Sequence, residues 1–301
     1  MPQHVALAAD LLATATDDVL WLTTIADGAH LRTLSLPWAI DEIAVSPSGR
    51  FIAAAPSVPR REIVVYDRLE AATTTISKSS DRWLSGFGFA ADPHSDLLVV
   101  ARDQFSCSTL DLRAGAQEIA RLVGGGFEFD RLGGLWGDVL VSVGHYSGET
   151  RDSLVVVHAG PDGSCGDELD FAYRLIAGRA EQGAFVAFRD PEDAERPAPD
   201  DDDDDDHADI HDFLGIYIRD VASGELREKI AWDDPGVRRG DHCFATEHWV
   251  AITNGGGVSL VPRARSAGSP ATLPAHAAGL DPIGRRIALT VEEANIDVAQ
   301  L

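Results

Sequence analysis

Apolar residues in this chain alternate with polar ones or gather in short runs, and Gly, Pro, Asp and Ser break the runs at close intervals. Such a pattern predicts many short antiparallel strands, because side chains one apart along a strand face opposite ways. The 3.6-residue apolar period of an amphipathic helix is nearly missing. The expected class is all-β.

The same strand–turn–strand unit recurs. IAVSPSGRFIAAA (43–55) matches AGLDPIGRRIALT (278–290). The match pairs Pro47 with Pro282, Gly49 with Gly284, Arg50 with Arg285, Ile52 with Ile287 and Ala53 with Ala288. FGFAADPHSDLLVVA (87–101) repeats the unit with Pro93 in the turn. Proline presets φ at the second turn position, and glycine accepts the left-handed backbone that closes a tight hairpin. Each hairpin is followed by a third strand: EIVVYDR (62–68), STLDL (108–112), SLVVVH (153–158), GIYIRDV (215–221) and VSLVP (258–262). A repeat of this length is the mark of an array in which each unit buries its apolar surface against the next.

Three of the third strands end in Tyr66-Asp67, Leu110-Asp111 and Arg219-Asp220. In this the chain resembles the WD40-like β-propellers, which end that strand in Trp-Asp. Here no Trp-Asp closes a third strand, and no Gly-His stands at the family's position. The resemblance spans the whole chain through period and pattern. It implies one domain over 1–301, a seven-bladed propeller of four-stranded antiparallel blades. The blades are expected at roughly 3–36, 38–77, 80–122, 125–176, 177–232, 239–273 and 275–301. The last is either three-stranded or completed by the N-terminal strand HVALAAD.

Charge modifies this picture in one place. The chain carries −24, and residues 190–212 hold thirteen acids against Arg196, half of that total. Asp200, Asp201, Asp202, Asp203, Asp204, Asp205 and Asp206 are consecutive. Seven adjacent carboxylates repel one another and cannot enter a core, so 191–212 is expected to be an acidic, mobile loop inserted in blade five. An acidic surface disfavours nucleic acid and anionic lipid. No apolar run is long enough for a membrane helix. The segment MPQHVALAADLLATATDD has no basic start and is interrupted by Asp10, so no signal peptide is read and the cytoplasm is the expected compartment. Cys107, Cys165 and Cys243 are dispersed and form no CxxC pair, so neither disulfides nor structural zinc are expected.

Candidate binding residues follow from the loops. Trp38, Trp83 and Trp232 lie between blades one and two, two and three, and five and six. By the resemblance they share one face with the acidic loop, and indoles rimmed by charge make good protein-binding anchors. Arg60 and Arg61 lie on the same predicted face. His207 and His211 would share a face if helical, with Asp209 near them, and these are the candidates for a divalent metal. No GxSxG, HExxH, P-loop or complete GxGxxG is present. The expected function is therefore a non-enzymatic scaffold or regulatory adaptor without cofactor. Its top-face loops would bind a protein partner with a basic surface. The alternative is a lactonase-like propeller hydrolase or ligand binder with a metal at the central channel.

Overall fold

The computed structural model describes residues 3–57, 61–77, 84, 86–90, 96–103, 106–123, 127–136, 139–146, 153–158, 178–180, 184–188, 215–220, 226–231, 243–245, 248–254, 257–263, 270–275, 277–280, 286–292 and 295–300. Every regular element among them is a strand.

The first sheet is β1 (His4–Ala8), β2 (Leu11–Thr16), β3 (Val19–Thr24) and β4 (His30–Ser35), paired in chain order. The second is β5 (Glu42–Val45), β6 (Phe51–Ala55), β7 (Glu62–Asp67) and β8 (Ala72–Ser77). The third is β9 (Gly86–Phe89), β10 (Leu97–Asp103), β11 (Ser106–Asp111) and β12 (Gln117–Val123). A fourth, three-stranded sheet holds β13 (Phe127–Trp136), β14 (Val139–Tyr146) and β15 (Ser153–His158). Next come β16 (Gly178–Ala180), β17 (Ala184–Phe188), β18 (Gly215–Asp220) and β19 (Leu226–Ala231). They are followed by β20 (Cys243–Ala245), β21 (Trp249–Asn254), β22 (Gly257–Pro262) and β23 (Ala271–Pro274). These eight form one sheet, because β16 and β20 pair in parallel through Arg179–Phe244 and Ala180–Ala245. The last sheet is β24 (Ala277–Leu280), β25 (Arg286–Glu292) and β26 (Asn295–Gln300).

Burial falls away toward the last strand of the first two sheets. β6 is buried at every position, whereas β4 and β8 are exposed at nearly all. The outer strands are accordingly polar, with Thr73, Thr74 and Thr75 in β8. Short polar edge strands deter pairing with foreign strands. The apolar residues instead fill the spaces between sheets. Ala8, Leu11, Leu20 and Leu22 of the first sheet pack with Val45, Ile52 and Tyr66 of the second. Phe51, Ile63 and Val65 of the second pack with Phe87, Leu98 and Leu110 of the third. Ala251 and Val258 pack with Ile287 and Leu289 of the last sheet. This core is a series of wedges between sheets.

The last wedge brings the two ends of the chain together. Val5, Leu7 and Leu12 pack against Ala288, with Ile296 and Val298 beside them. β24 also lies so close to β1 that a Cβ on Gly279 would stand 2.5 Å from the Val5 carbonyl oxygen. Only glycine fits there. Of the two forms expected for the last blade, the described strands make the three-stranded one, and HVALAAD does not complete it. β1 spends its backbone hydrogen bonds on β2, from His4–Ala15 to Ala8–Leu11. It meets the last sheet by packing on β24 rather than by extending it beyond β26.

Candidate interaction surface

Antiparallel strands put the connections of each sheet at two opposite ends. One end carries the β1–β2, β3–β4, β5–β6, β7–β8 and β11–β12 turns. The other carries the β2–β3 turn and the β4–β5 and β6–β7 connections.

The turn end is tight and charged. Ala9, Ala71, Ala116 and the glycines Gly28, Gly49 and Gly115 hold positive φ there. Asp67 and Asp111, which close third strands, cap the turns that follow them. Asp67 Oδ1 accepts the N–H of Leu69 at 2.9 Å and of Glu70 at 3.3 Å. Asp111 Oδ1 accepts those of Arg113 at 2.9 Å and Ala114 at 3.3 Å. Asp67 also takes a two-pronged ion pair from Arg50, with Nη2 at 2.6 Å and Nε at 3.1 Å. Partial burial alone would raise the Asp67 carboxyl. The Arg50 guanidinium and the two turn N–H groups outweigh it and hold the group below the usual carboxylate range. Its hydrogen bond to Asp67 in turn raises Arg50. Between sheets, Arg68 reaches Asp10 at 3.3 Å. Gly49 packs on Ala8 and Ala9 of the neighbouring turn. Ser48 donates to Asp96, whose side chain is fully buried and is also paired to Arg113 at 2.7 Å.

The opposite end has longer connections. The β4–β5 segment is tied to the β2–β3 turn, with the N–H of Leu36 donating to the Asp18 carbonyl and that of Ile40 to the Asp17 carbonyl. Trp38 stands in this segment, half-buried on the wedge between the first two sheets. Its indole N–H donates to Glu62 Oε1 at 2.5 Å, at the start of β7. Arg61 precedes Glu62 and is exposed. His4 opens β1 at this end, and burial pushes its imidazole down against the opposing pull of Asp41 and Glu42.

Of the residues singled out from sequence, the structure therefore brings Trp38 and Arg61 to one end, Trp38 bonded to Glu62 and Arg61 preceding Glu62 in the chain. Trp83, Trp232, Arg60, Asp200 through Asp206, His207, Asp209 and His211 lie outside the described residues. In chain order the acidic run falls between β17 and β18, the same kind of connection that carries Arg61 between β6 and β7. Trp232 falls between β19 and β20, as Trp38 does between β4 and β5. Among the described residues no three His, Cys, Asp or Glu groups are placed to hold a metal ion, and no helix is long and apolar enough to cross a membrane. Glu62, Asp96 and Ser48 were missed by sequence reading. A signal for Asp96 existed: aligning Pro93 on Pro47 sets Asp96 against Arg50, a charge reversal at one turn position.

Solved structures share this arrangement over nearly the full chain. One from Kuenenia stuttgartiensis hydrazine synthase is 12% identical at a TM-score of 0.68, covering 100% of this chain and 95% of that one. The WD40 repeats of RRP9 are 12% identical at 0.60, covering 96% and 86%. A chain of the mitotic checkpoint complex is 12% identical at 0.65, covering 99% and 90%. The chain has a WD40-like β-propeller fold. No family model matches it, and no curated protein does. At this identity the likeness carries the propeller alone. One of these structures is a synthase and another a checkpoint complex, so the propeller itself does not choose between chemistry and assembly.

Proposed function

We propose that this propeller is a non-enzymatic scaffold or regulatory adaptor of a cytoplasmic multiprotein complex. It has seven blades and binds a protein with a basic surface. The blade count is supported by the strand groups, which number seven when the eight-stranded sheet is divided at β16–β20. Closure is supported by the packing of β24 on β1.

The observation that carries the reading is Trp38, fixed in place at the end opposite the tight turns. Glu62 holds its indole there, and exposed Arg61 precedes Glu62 in the chain. A pre-positioned indole loses little freedom on binding, which favours it as an anchor. The acidic run, in a connection of the same kind as the one holding Arg61, supplies long-range attraction for a basic partner. The same negative charge argues against nucleic acid and anionic membranes as ligands.

Affinity purification from the source cell is expected to recover a stoichiometric partner. Removing residues 191–212 should weaken that association and flatten its salt dependence, and Trp38→Ala should weaken it by about tenfold or more. Unchanged affinity and salt dependence in the deletion would remove the acidic loop from the interface. A stoichiometric divalent ion in the purified protein, with hydrolytic activity, would instead establish the channel-enzyme alternative.

A further inference from the structure

The wedge between the second and third blades ends in a polar chain that runs from one blade into the other. Ser46 and Ser48 occupy the β5–β6 turn, with their Oγ atoms 3.0 Å apart. Their hydroxyls accept backbone N–H groups of their own turn, Phe51 to Ser46 and Arg50 to Ser48, each at 3.1 Å. Ser48 then donates across the blade boundary to Asp96 Oδ1. The other carboxylate oxygen, Oδ2, takes Arg113 Nε at 2.7 Å from the β11–β12 turn. The Asp96 backbone carbonyl accepts the Leu112 N–H at 3.2 Å, which fixes its position in the third blade.

Asp96 has no exposed side-chain surface. A carboxylate taken out of water is costly unless each oxygen is satisfied. Here one oxygen is satisfied from its own blade and the other from the neighbour. Separating the blades would cost that second oxygen its protein donor. Arg50, which feels the Asp96 charge, adds a second cation from the second blade. The boundary between blades one and two has an apolar wedge of its own but a weaker polar link. Its ion pair, Arg68–Asp10, is longer at 3.3 Å, and Asp10 is 59% exposed. Water can replace either partner there at little cost.

We propose that Ser48, Asp96 and Arg113 form a latch that couples blades two and three, so that these two open and close as one cooperative unit. The coupling belongs to the ring itself and holds whatever partner the ring binds.

Native-state hydrogen exchange of the full chain tests this. Ser48→Ala removes one hydroxyl from the second blade and touches no hydrogen bond within the third. The slowly exchanging amides of both β6 and β10 should then exchange faster by on the order of tenfold, as expected for losing a hydrogen bond to a charged group. Those of β2 should change by less than about twofold. Asp96→Asn, which keeps an acceptor and loses the charge, should give a larger effect with the same distribution. If Asp96→Asn does not fold, Ser48→Ala still decides. Acceleration confined to β6, equal acceleration in β2 and β21, or no acceleration would each overturn the latch.

Discussion

The junction between blades two and three and the junction that closes the ring solve the same problem with different materials. The first joins a wedge of apolar side chains to a buried carboxylate with donors on both sides. The second has an all-apolar wedge and a backbone-to-backbone approach at Gly279. A charge network is directional and responds to pH and salt. A close backbone approach responds to volume alone. The ring therefore has joints that different perturbations can address separately.

The largest expected effect is at the closing joint. Gly279→Ala would place a methyl group 2.5 Å from the Val5 carbonyl, and backbone on both sides must move. A loss of about 3 kcal/mol is expected in urea unfolding. A loss below about 1 kcal/mol would show that the joint is loosely packed. Gly49→Ala probes the corresponding approach between blades one and two. Its φ of +72° and a contact of 3.1 Å to Ala9 predict about 1 to 2 kcal/mol, less than at Gly279 because the neighbour is a side-chain atom.

Acid acts inside blade two, on the ion pair between Asp67 and Arg50. The folded Asp67 carboxyl ionises below the usual carboxylate value. It therefore contributes stability that is fully present above the unfolded value of about 3.9 and is lost as pH falls through the folded value. Exchange in β6 and β7 should accelerate over that window, and Asp67→Asn should abolish this part of the pH dependence. The wedge of Val5, Leu7 and Leu12 on Ala288 is built from apolar side chains and should respond less over that window. The smallest effect belongs to Arg68→Ala. Its partner is largely exposed, so about 0.3 kcal/mol or less is expected, vanishing at high salt.

The strands were the legible part. The third strands predicted at 62–68, 153–158 and 258–262 correspond to Glu62–Asp67, Ser153–His158 and Gly257–Pro262. Alternation and turn chemistry are local, and both are written in adjacent residues. The Asp that closes the third strand was read as a family mark. Its work, capping the next turn at Asp67 and Asp111, depends on backbone N–H groups that no residue type announces. Asp96 and Ser48 were invisible for another reason. They lie in different blades, and a turn serine or aspartate looks like any solvated one until its partner is known. The fusion of β16 with β20 was hidden for the same reason, since strand pairing between repeats leaves no trace in either repeat.

The pairing of β17 with β18 has a practical consequence. The ladder runs from Ala184–Asp220 to Phe188–Ile216 without a shift, although the acidic run intervenes between the two strands. The hairpin thus tolerates a long excursion of chain at its tip. Since doubling a loop costs only about 0.6 kcal/mol in closure entropy, this is a natural port. An affinity tag, a fluorescent domain or a second binding module could be spliced in place of the aspartates. The blade would keep its register, and the cargo would leave the ring from the tip of the β17–β18 hairpin.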